Sequence, residues 1–268
     1  MKLLLIFALF FSACTLTKRL SLPVRSTSAM SGSEFYKKAI AMQWQQRDSF
    51  ALQEILAGNL PGFWKKFTAI QTSITDSASG KKIRAIYFVS RDYLSIGNDH
   101  DWARVPLTPM AGQKIADMFQ CFLPTRKIVD DIYRQAKIHL EPVPLLAFRD
   151  STVTMWQHHL IIEGQRRGRK GLIAGIKKDV VISGKISRDP KPGRVAIYGW
   201  HQPGGRPIQP LYTGHVNWYV DYSHGIRLVY RKMKVGRKWM DYTAVLQDPT
   251  LKALICDEAD CDFYRYPE

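Results

Sequence analysis

The sequence predicts an α+β fold, with helices mainly in the first half and an antiparallel or mixed sheet mainly in the second half. Helical spacing of apolar residues recurs before Gly171, for example at Ile128, Val129, Ile132 and Tyr133. After Gly171, β-branched runs separated by Gly and Pro dominate, which is typical of strands. Helices gathered in one half and strands in the other favour α+β over a regular βαβ alternation.

The first elements alternate between helix and strand. Residues 34–58 predict helix in two pieces, the second capped by Ser49 and ended by Gly58. Residues 64–75 and 83–90 suit strands, and the Asp-Ser-Ala-Ser-Gly between them supplies a turn. We therefore expect a β-hairpin between two helical regions.

Three further helices are expected before the strand-rich half. One begins after Thr108, because Pro109 fits the first helical position, and another begins after Thr125, which can cap it. Residues 151–164 have helical apolar spacing. Later strands are predicted at residues 173–176, 180–182, 195–198 and 226–230, followed by a short helix from Pro249 to Ile255.

The composition excludes several classes of protein. The 268 residues carry a net charge of +16 and are 46% hydrophobic and 12% aromatic, which excludes disorder across the chain. Four Cys and 14 Pro exclude a disulfide-dense or collagen-like scaffold. The positive charge predicts attraction to a polyanion such as nucleic acid, anionic lipid or an acidic envelope polymer.

The N-terminus has the plan of a secretory signal. Lys2 precedes an apolar run from Leu3 to Phe11, and the small residues Ser12 and Ala13 follow. The run has about half of the ~20 residues that a membrane-spanning helix needs. We therefore predict a signal peptide at residues 1–13 and an exported protein.

Phe11-Ser12-Ala13-Cys14 resembles the lipobox of bacterial lipoprotein precursors, with Phe in place of the usual Leu. The resemblance implies cleavage before Cys14 and acylation of Cys14, whose acyl chains, such as palmitate, would form the membrane anchor. Thr15, in place of an Asp, leans towards the outer membrane rather than the cell membrane. We expect residues 14–33 to be a flexible tether and residues 34–268 to form one domain, in the periplasm or outside the cell.

The other cysteines favour a disulfide near the C-terminus. Cys256 and Cys261 are close enough in sequence for a small disulfide loop in an exported protein, and two free thiols are the alternative. Cys121 lies on an apolar helix face, where a buried core thiol is favoured over a catalytic nucleophile.

Residues 198–224 hold the densest group of reactive side chains, on what we expect to be a loop between strand-like pieces because residues 203–210 are rich in Pro. Read as extended chain, residues 215–223 place their hydrogen-bonding side chains on one face. That face either lines a polar cleft or contacts solvent. The candidate catalytic residues are His201, His215, Asp221 and His224, and the candidate substrate-binding residues are Tyr198, Trp200, Tyr219 and Ser223.

Several chemistries remain open for these residues. Acid–base work by Asp221 with a His fits polysaccharide or peptide cleavage. Zinc is an alternative cofactor, but a straight strand would hold His215 and Asp221 roughly 20 Å apart, so a bend is required. A serine nucleophile is disfavoured because Ser223 and His224 point apart in a strand.

Three basic runs form either a solvated surface or a groove for an anionic polymer. They lie at residues 166–170, 177–178 and 227–238. Export and the lack of a nucleic-acid motif disfavour nucleic acid as the ligand. The sequence therefore predicts a hydrolase acting on an envelope polymer such as peptidoglycan. The alternative is a non-catalytic lipoprotein that binds an anionic polymer or a protein partner.

Overall fold

Helices and strands occur in blocks along residues 16–267, which are the residues that the computed structural model describes. The described helices are α1 (Gly32–Ala39), α2 (Trp44–Leu56), α3 (Pro109–Met118), α4 (Arg126–Gln135), α5 (Thr152–Arg166), α6 (Gly184–Ser187) and α7 (Tyr242–Gln247), with 3₁₀ turns at Gly62–Lys65 and Leu251–Leu254. The described strands are β1 (Thr17–Arg19), β2 (Lys66–Thr75), β3 (Lys82–Val89), β4 (Ser95–Gly97), β5 (Trp102–Arg104), β6 (Cys121–Phe122), β7 (Ile138–His139), β8 (Ile173–Ala174), β9 (Lys178–Val181), β10 (Arg194–His201), β11 (Pro207–Val216), β12 (His224–Gly225), β13 (Val229–Tyr230), β14 (Lys232–Val235) and β15 (Lys238–Asp241). The α+β class is confirmed, and the order of helices before strands is roughly as predicted.

The largest sheet joins early and late parts of the chain. Its strand order is β1-β2-β3-β13-β6, with β14 and β15 added beside β3. The predicted hairpin is confirmed: β2 pairs antiparallel with β3 from Thr68 opposite Val89 to Thr75 opposite Lys82. Late strands therefore extend a sheet that the early hairpin begins, so the two halves of the chain share one sheet.

A smaller sheet, in the order β11-β10-β9-β12, carries most of the candidate site. β10 pairs antiparallel with β9 and β11, and β12 pairs parallel with β9, with His224 opposite Lys178. The expected loop over residues 203–210 is wrong in its second half, because β11 begins at Pro207 and includes Pro210. Proline has no N–H to donate and is tolerated there because β11 lies at the edge of the sheet.

Local capping explains where several helices begin. The Thr108 hydroxyl accepts from the amide of Ala111 in α3, and the Thr125 hydroxyl accepts from the amide of Ile128 in α4, as predicted. The prediction for α2 was wrong, since this helix begins at Trp44 rather than after Ser49. Gln43 and Gln46 cap it with reciprocal side-chain-to-backbone bonds, a pattern that the search for a Ser cap missed.

Part of the segment expected to be a flexible tether is packed against the rest of the protein. β1 pairs antiparallel with residues 66–68 of β2, Leu20 is buried, and Arg25 donates to the Asn59 side chain at 2.9 Å. Residues 17–20 and Arg25 of this segment therefore contact the rest of the protein, and α1 begins at Gly32 within it. The predicted signal peptide and Cys14 lie outside the described residues, and so does Thr15.

Buried apolar side chains from Leu20 to Tyr266 form one main cluster. Near its C-terminal end, the Tyr266 hydroxyl donates to the carbonyl of Val181 in β9 at 2.7 Å and accepts from the amide of Ala196 in β10 at 2.9 Å. These bonds hold two strands of the smaller sheet against the core. No helix within residues 16–267 is long and apolar enough to cross a bilayer.

Candidate functional site

The chain turns sharply between β11 and β12, and this turn creates the candidate site. The amide of Tyr219 donates to the carbonyl of Val216, and the amide of His224 donates to the carbonyl of Asp221, both at 3.1 Å. The expectation of an extended chain over residues 215–223 is therefore wrong after Val216. The bend that a shared site required is present, and it brings the rings of His215 and His224 to a centroid distance of 5.8 Å.

We call His215, Tyr219, Asp221 and His224 the His–Asp cluster. The Tyr219 ring lies 5.1 Å from the His215 ring and 6.0 Å from the His224 ring, measured between centroids. Its hydroxyl lies 3.5 Å from Oδ2 of Asp221. Three of the four predicted catalytic residues and one predicted substrate-binding residue are thus brought together.

Asp221 is the fixed negative charge of the cluster. Its Oδ1 accepts from the Ser223 amide at 2.8 Å and from the Ser223 hydroxyl at 2.5 Å, and its Oδ2 pairs with Arg149 Nη2 at 3.0 Å. Burial opposes ionisation, but His224, the bonds from Ser223 and the charge of Lys178 together lower the pKa of Asp221 to about 2. Asp221 is therefore a carboxylate at any physiological pH.

Both histidines of the cluster favour the neutral form. Burial lowers the pKa of His224 to about 4, although Asp221 partly opposes this shift. Burial also lowers the pKa of His215, and the charge of Lys178 adds to the effect. His215 is only partly buried, whereas His224 is fully buried, and its Nε2 has no hydrogen-bond partner within residues 16–267. At neutral pH the cluster therefore offers imidazole nitrogens that can accept a proton, and His215 is the one that a substrate can reach.

Two cations lie beside the cluster. The Lys178 ammonium is 5.2 Å from the centroid of the Trp200 ring, and the Arg149 guanidinium, which is half-exposed, is 5.9 Å from that of Tyr222. Burial lowers the pKa of Lys178, while Asp221 opposes the shift. Positive charges in a partly dehydrated site attract carboxylate or phosphate groups and stabilise developing negative charge.

Comparison of the chain with protein-family models, with curated proteins and with solved structures finds no significant match.

Trp200 packs against Lys178, one of the two cations beside the cluster. It is buried and has a φ of +58°, next to Gly199 at +108°, where the register of β10 with β11 shifts between Ile197 and Gly199. A left-handed non-glycine residue is strained and is retained when its surroundings fix it. The buried indole lies beneath the ammonium of Lys178, so Trp200 positions that cation and has little surface for a substrate.

Two other predicted residues belong to a separate group. His201 Nε2 lies 3.0 Å from Oδ1 of Asp130, which also accepts from the Tyr198 hydroxyl at 2.8 Å. The His201 ring stacks on Tyr133 at a centroid distance of 4.5 Å, and both His201 and Tyr198 are buried. The structure therefore does not join His201 and Tyr198 to the His–Asp cluster, since their partners come from α4.

Ser223 is placed differently from its prediction as a substrate-binding residue. Its side chain is fully buried and its hydroxyl donates to Asp221, so it orients the carboxylate. Because Ser223 is buried, a substrate cannot reach its hydroxyl, and Ser223 cannot act as a nucleophile.

Sequence analysis missed Lys177, which lies behind the cluster. Its ammonium donates to the carbonyl of Tyr222, and burial lowers the pKa of Lys177 to about 7. His158, which is also buried, contacts the Tyr222 ring at a centroid distance of 5.0 Å. The basic pattern predicts Lys177 and Lys178 either in a solvated surface or in a groove for an anionic polymer, whereas both side chains are buried. The available signal was their position directly before the β-branched run at residues 180–182, which predicts a buried strand.

Three cysteines lie within the described residues, and their states can be compared with the predictions. A disulfide joins Cys256 and Cys261, with a Cα–Cα distance of 6.4 Å. Cys121 is buried, and burial raises the pKa of its thiol, which disfavours a nucleophilic thiolate. Within the described residues, no three His, Cys, Asp or Glu side chains are grouped to hold a metal ion, so the zinc hypothesis gains no support from them.

Proposed function

We propose that the chain is a hydrolase that acts on an anionic polymer of the cell envelope, peptidoglycan being the first candidate, by acid–base chemistry at the His–Asp cluster. The observation that carries the proposal is the contact between His215 and His224 beside the ionised Asp221, with Lys178 and Arg149 next to them. A surface that only needed to be soluble would not bury a carboxylate, an imidazole and an ammonium together.

Each side chain has a role in this chemistry. His215 is the accessible group: it takes a proton from the water that attacks the substrate carbonyl, and it returns this proton to the leaving amine or alcohol as that group's bond to the carbonyl carbon breaks. Asp221 stabilises the imidazolium that forms, because it acts electrostatically on both histidines. Arg149 and Lys178 hold an acidic group of the polymer or stabilise the developing oxyanion. Tyr219 packs against both imidazoles and fixes the ring of His215.

The cluster favours cleavage of a peptide, amide or ester bond over cleavage of a glycosidic bond. Glycosidases with paired carboxylates need a carboxylic acid whose pKa is raised so that it can protonate the leaving oxygen. The pKa of Asp221 is instead lowered to about 2. Peptidoglycan stems offer peptide and amide bonds together with carboxylates that suit the two cations.

The envelope as the place of action follows from the predicted signal peptide and the lipobox-like residues 11–14. Acyl chains on Cys14 would hold the protein at the cell membrane or outer membrane, with the domain in the periplasm or outside the cell. The net charge of +16 suits an acidic polymer in that compartment.

A digest of isolated peptidoglycan sacculi tests the proposal. We expect the purified protein to release soluble fragments, and we expect His215→Asn and Asp221→Asn to lower the rate by about 100-fold or more, as loss of a positioned base does. His100→Asn, at an exposed position, is the matched control and should keep the wild-type rate. Mass spectrometry of the fragments identifies the broken bond, and repeating the digest after chelation with and without zinc tests the metal alternative. Absence of release, or full activity of both cluster variants, would exclude this function.

Non-catalytic polymer binding is a second candidate, and a groove of about 540 Å³ beside the β2–β3 hairpin favours it. The groove is lined by Lys82, Arg84, Lys127 and Arg134, with Asp131 as its acid. Asp131 already pairs with both Lys127 and Arg134, so the exposed Lys82 and Arg84 remain to meet an anionic chain.

We expect the double variant Lys82→Gln, Arg84→Gln to co-sediment with sacculi several-fold less than wild type at low salt, because two polymer contacts are lost. Added salt should reduce the difference in co-sedimentation between wild type and the double variant, since these contacts are electrostatic. The control is the double variant Lys114→Gln, Lys191→Gln, two exposed lysines outside the groove, which removes the same two charges without removing a groove residue. Equal loss for the control would show that net charge, and not the groove, determines binding.

A further inference from the structure

The outer face of α5 is apolar where a helix facing water would carry charge. Met155, His158, His159 and Ile162 on its inner face are buried. On the outer face, Val153 is 44% exposed, Leu160 49% and Ile161 41%. The other exposed helical positions are Gln157 and Gly164, so this face contains no charged residue. A solvent-facing helix surface normally carries charged residues.

The segment before α5 extends this apolar surface. Leu146 is 87% exposed and Phe148 is 81% exposed. The segment runs beside the helix, because the amide of Glu141 donates to the side chain of Gln165 at 2.9 Å near the end of α5, and the amide of Ser151 donates to the carbonyl of Phe148 at 3.0 Å at its start. The segment and the helix therefore form one surface.

Fixed contacts hold the exposed tip of this segment. The amide of Leu145 donates to the Tyr222 hydroxyl at 2.6 Å, and the amide of Tyr222 donates to the carbonyl of Arg149 at 2.9 Å. Phe148 has a φ of +46°, a conformation that costs free energy for a non-glycine residue. The contacts on both sides of residues 146–148 thus keep two large apolar side chains in water.

Of the thirteen large apolar side chains exposed in the described part of the chain, five lie within residues 146–161. We call these five the α5 face: Leu146, Phe148, Val153, Leu160 and Ile161. Such a concentration marks an interaction surface, whereas scattered exposed apolar residues do not.

We propose that the α5 face docks onto the surface of a membrane leaflet with anionic headgroups. Exposed Arg167, Arg169 and Lys170 follow directly after α5, and Arg169 donates to the carbonyls of Gln165 and Arg166 rather than to an acid. A leaflet supplies both an acyl boundary for the apolar side chains and phosphates for the cations. A second copy of this chain would supply apolar area, but its net charge of +16 would repel the same basic end.

Docking in this way connects the membrane to the His–Asp cluster. Arg149 is adjacent to Phe148 in the sequence and pairs with Asp221, so the cluster lies directly behind the tip of the docking segment. The contact would present the cluster to molecules at the membrane surface. Membrane docking goes beyond the proposed hydrolysis, because the α5 face would dock whether or not the His–Asp cluster is catalytic.

Spin labels on the full-length protein test the proposal in vesicles of phosphatidylethanolamine and phosphatidylglycerol. Labels at Phe148→Cys and Leu160→Cys should collide often with oxygen and seldom with a water-soluble nickel complex, as groups at acyl depth do. A label at Met118→Cys, an exposed apolar position on α3, should show the opposite preference. Because each label reports its own depth, the result does not depend on what else holds the protein to the vesicle.

Four further outcomes support or overturn the proposal. The proposal would be overturned if the labels at residues 148 and 160 were as accessible to the nickel complex as the label at residue 118. Spin–spin broadening between copies at residue 160 would also overturn it, in favour of a dimer. Replacing phosphatidylglycerol by phosphatidylcholine should reduce insertion at both positions, and unchanged insertion would overturn the recognition of anionic headgroups. His224→Asn should leave both depths unchanged, so a failure of docking is distinguishable from a failure of the proposed catalysis.

Discussion

Replacing Arg104 with alanine is expected to destabilise the protein by about 3–5 kcal/mol, as removal of one partner from a buried ion pair does. Arg104 is fully buried and makes two bonds of 2.8 Å to the buried Asp92 and one of 2.7 Å to Glu163. Its loss leaves the Asp92 carboxylate with the amide of Tyr93 at 2.7 Å and with a longer ion pair to Arg166 at 3.9 Å. The free energy of unfolding, measured by urea denaturation at neutral pH, should fall by a large part of the roughly 5–15 kcal/mol that a domain has.

Arg126→Ala is the matched control for this experiment. Arg126 pairs with Asp257 at 3.1 Å, but both side chains are partly exposed, so the expected change is about 0–1 kcal/mol. A variant Arg104→Ala as stable as Arg126→Ala would show that water or other groups compensate the buried Asp92 carboxylate when Arg104 is absent.

Local signals predicted the elements whose ends are fixed by neighbouring residues. Thr108 and Thr125 begin helices because each hydroxyl meets an amide three residues later. The β2–β3 hairpin was predictable because alternating apolar residues surround a short polar turn. The start of α2 at Trp44 was not, because glutamines form its cap and glutamine is a weaker capping signal than Ser, Thr, Asp or Asn.

The candidate site was predictable as a set of residue types but not as a geometry. His215, Asp221 and His224 were proposed together, yet an extended chain would have separated them. The turn after Val216 depends partly on the amide of Asn217 donating to the carbonyl of Gly193, 24 residues earlier in the chain. His201 was assigned to the same site, but Asp130 in α4 holds it elsewhere. Contacts between distant segments decide both outcomes.

The cations of the site were missed because charge normally indicates solvent. Lys177 and Lys178 looked like part of a basic surface, and both are buried. Arg149 lies next to an exposed Phe and ends a Pro-rich connector, where no local pattern indicates a partner. Its pairing with Asp221 crosses 72 residues of sequence. Buried charges need partners supplied by the whole fold, which a local pattern cannot show.

The protein is expected to lose stability as the pH falls below about 6.5, because four of its histidines have lowered pKa values. Burial lowers the pKa of His158, His159, His215 and His224, and the charges of Lys177 and Arg104 add to the effect at the first two. Each folded-state pKa is below the unfolded value of 6.5, so the unfolded chain binds more protons and gains stability relative to the folded form. For His224 the loss accumulates from pH 6.5 to about 4.

The slope of this loss follows from proton linkage. Each extra proton bound by the unfolded chain lowers the free energy of unfolding by about 1.4 kcal/mol for each pH unit of acidification. Asp179 opposes part of the loss, because burial raises its pKa to about 6 and the folded form then binds a proton between pH 6 and its usual value of 3.8. Burial also raises the pKa values of Asp48 and Glu258, so these carboxyls oppose the loss in the same way. The four histidines with lowered pKa values outnumber the three carboxyls, so stability should still fall. Urea denaturation at a series of pH values between about 8 and 5 measures the slope.

His158→Leu isolates one of these contributions. Both ring nitrogens of His158 are buried without a hydrogen-bond partner in the described chain, so an apolar side chain of similar volume removes an unfavourable burial. We expect the variant to be at least as stable as wild type near pH 8. Below pH 6.5, its free energy of unfolding should fall by about 1.4 kcal/mol per pH unit less than that of wild type. His100→Leu, at an exposed position, should leave the slope unchanged. An unaltered slope in His158→Leu would mean that His158 already carries a proton in the folded protein, and that a buried anion or water compensates it.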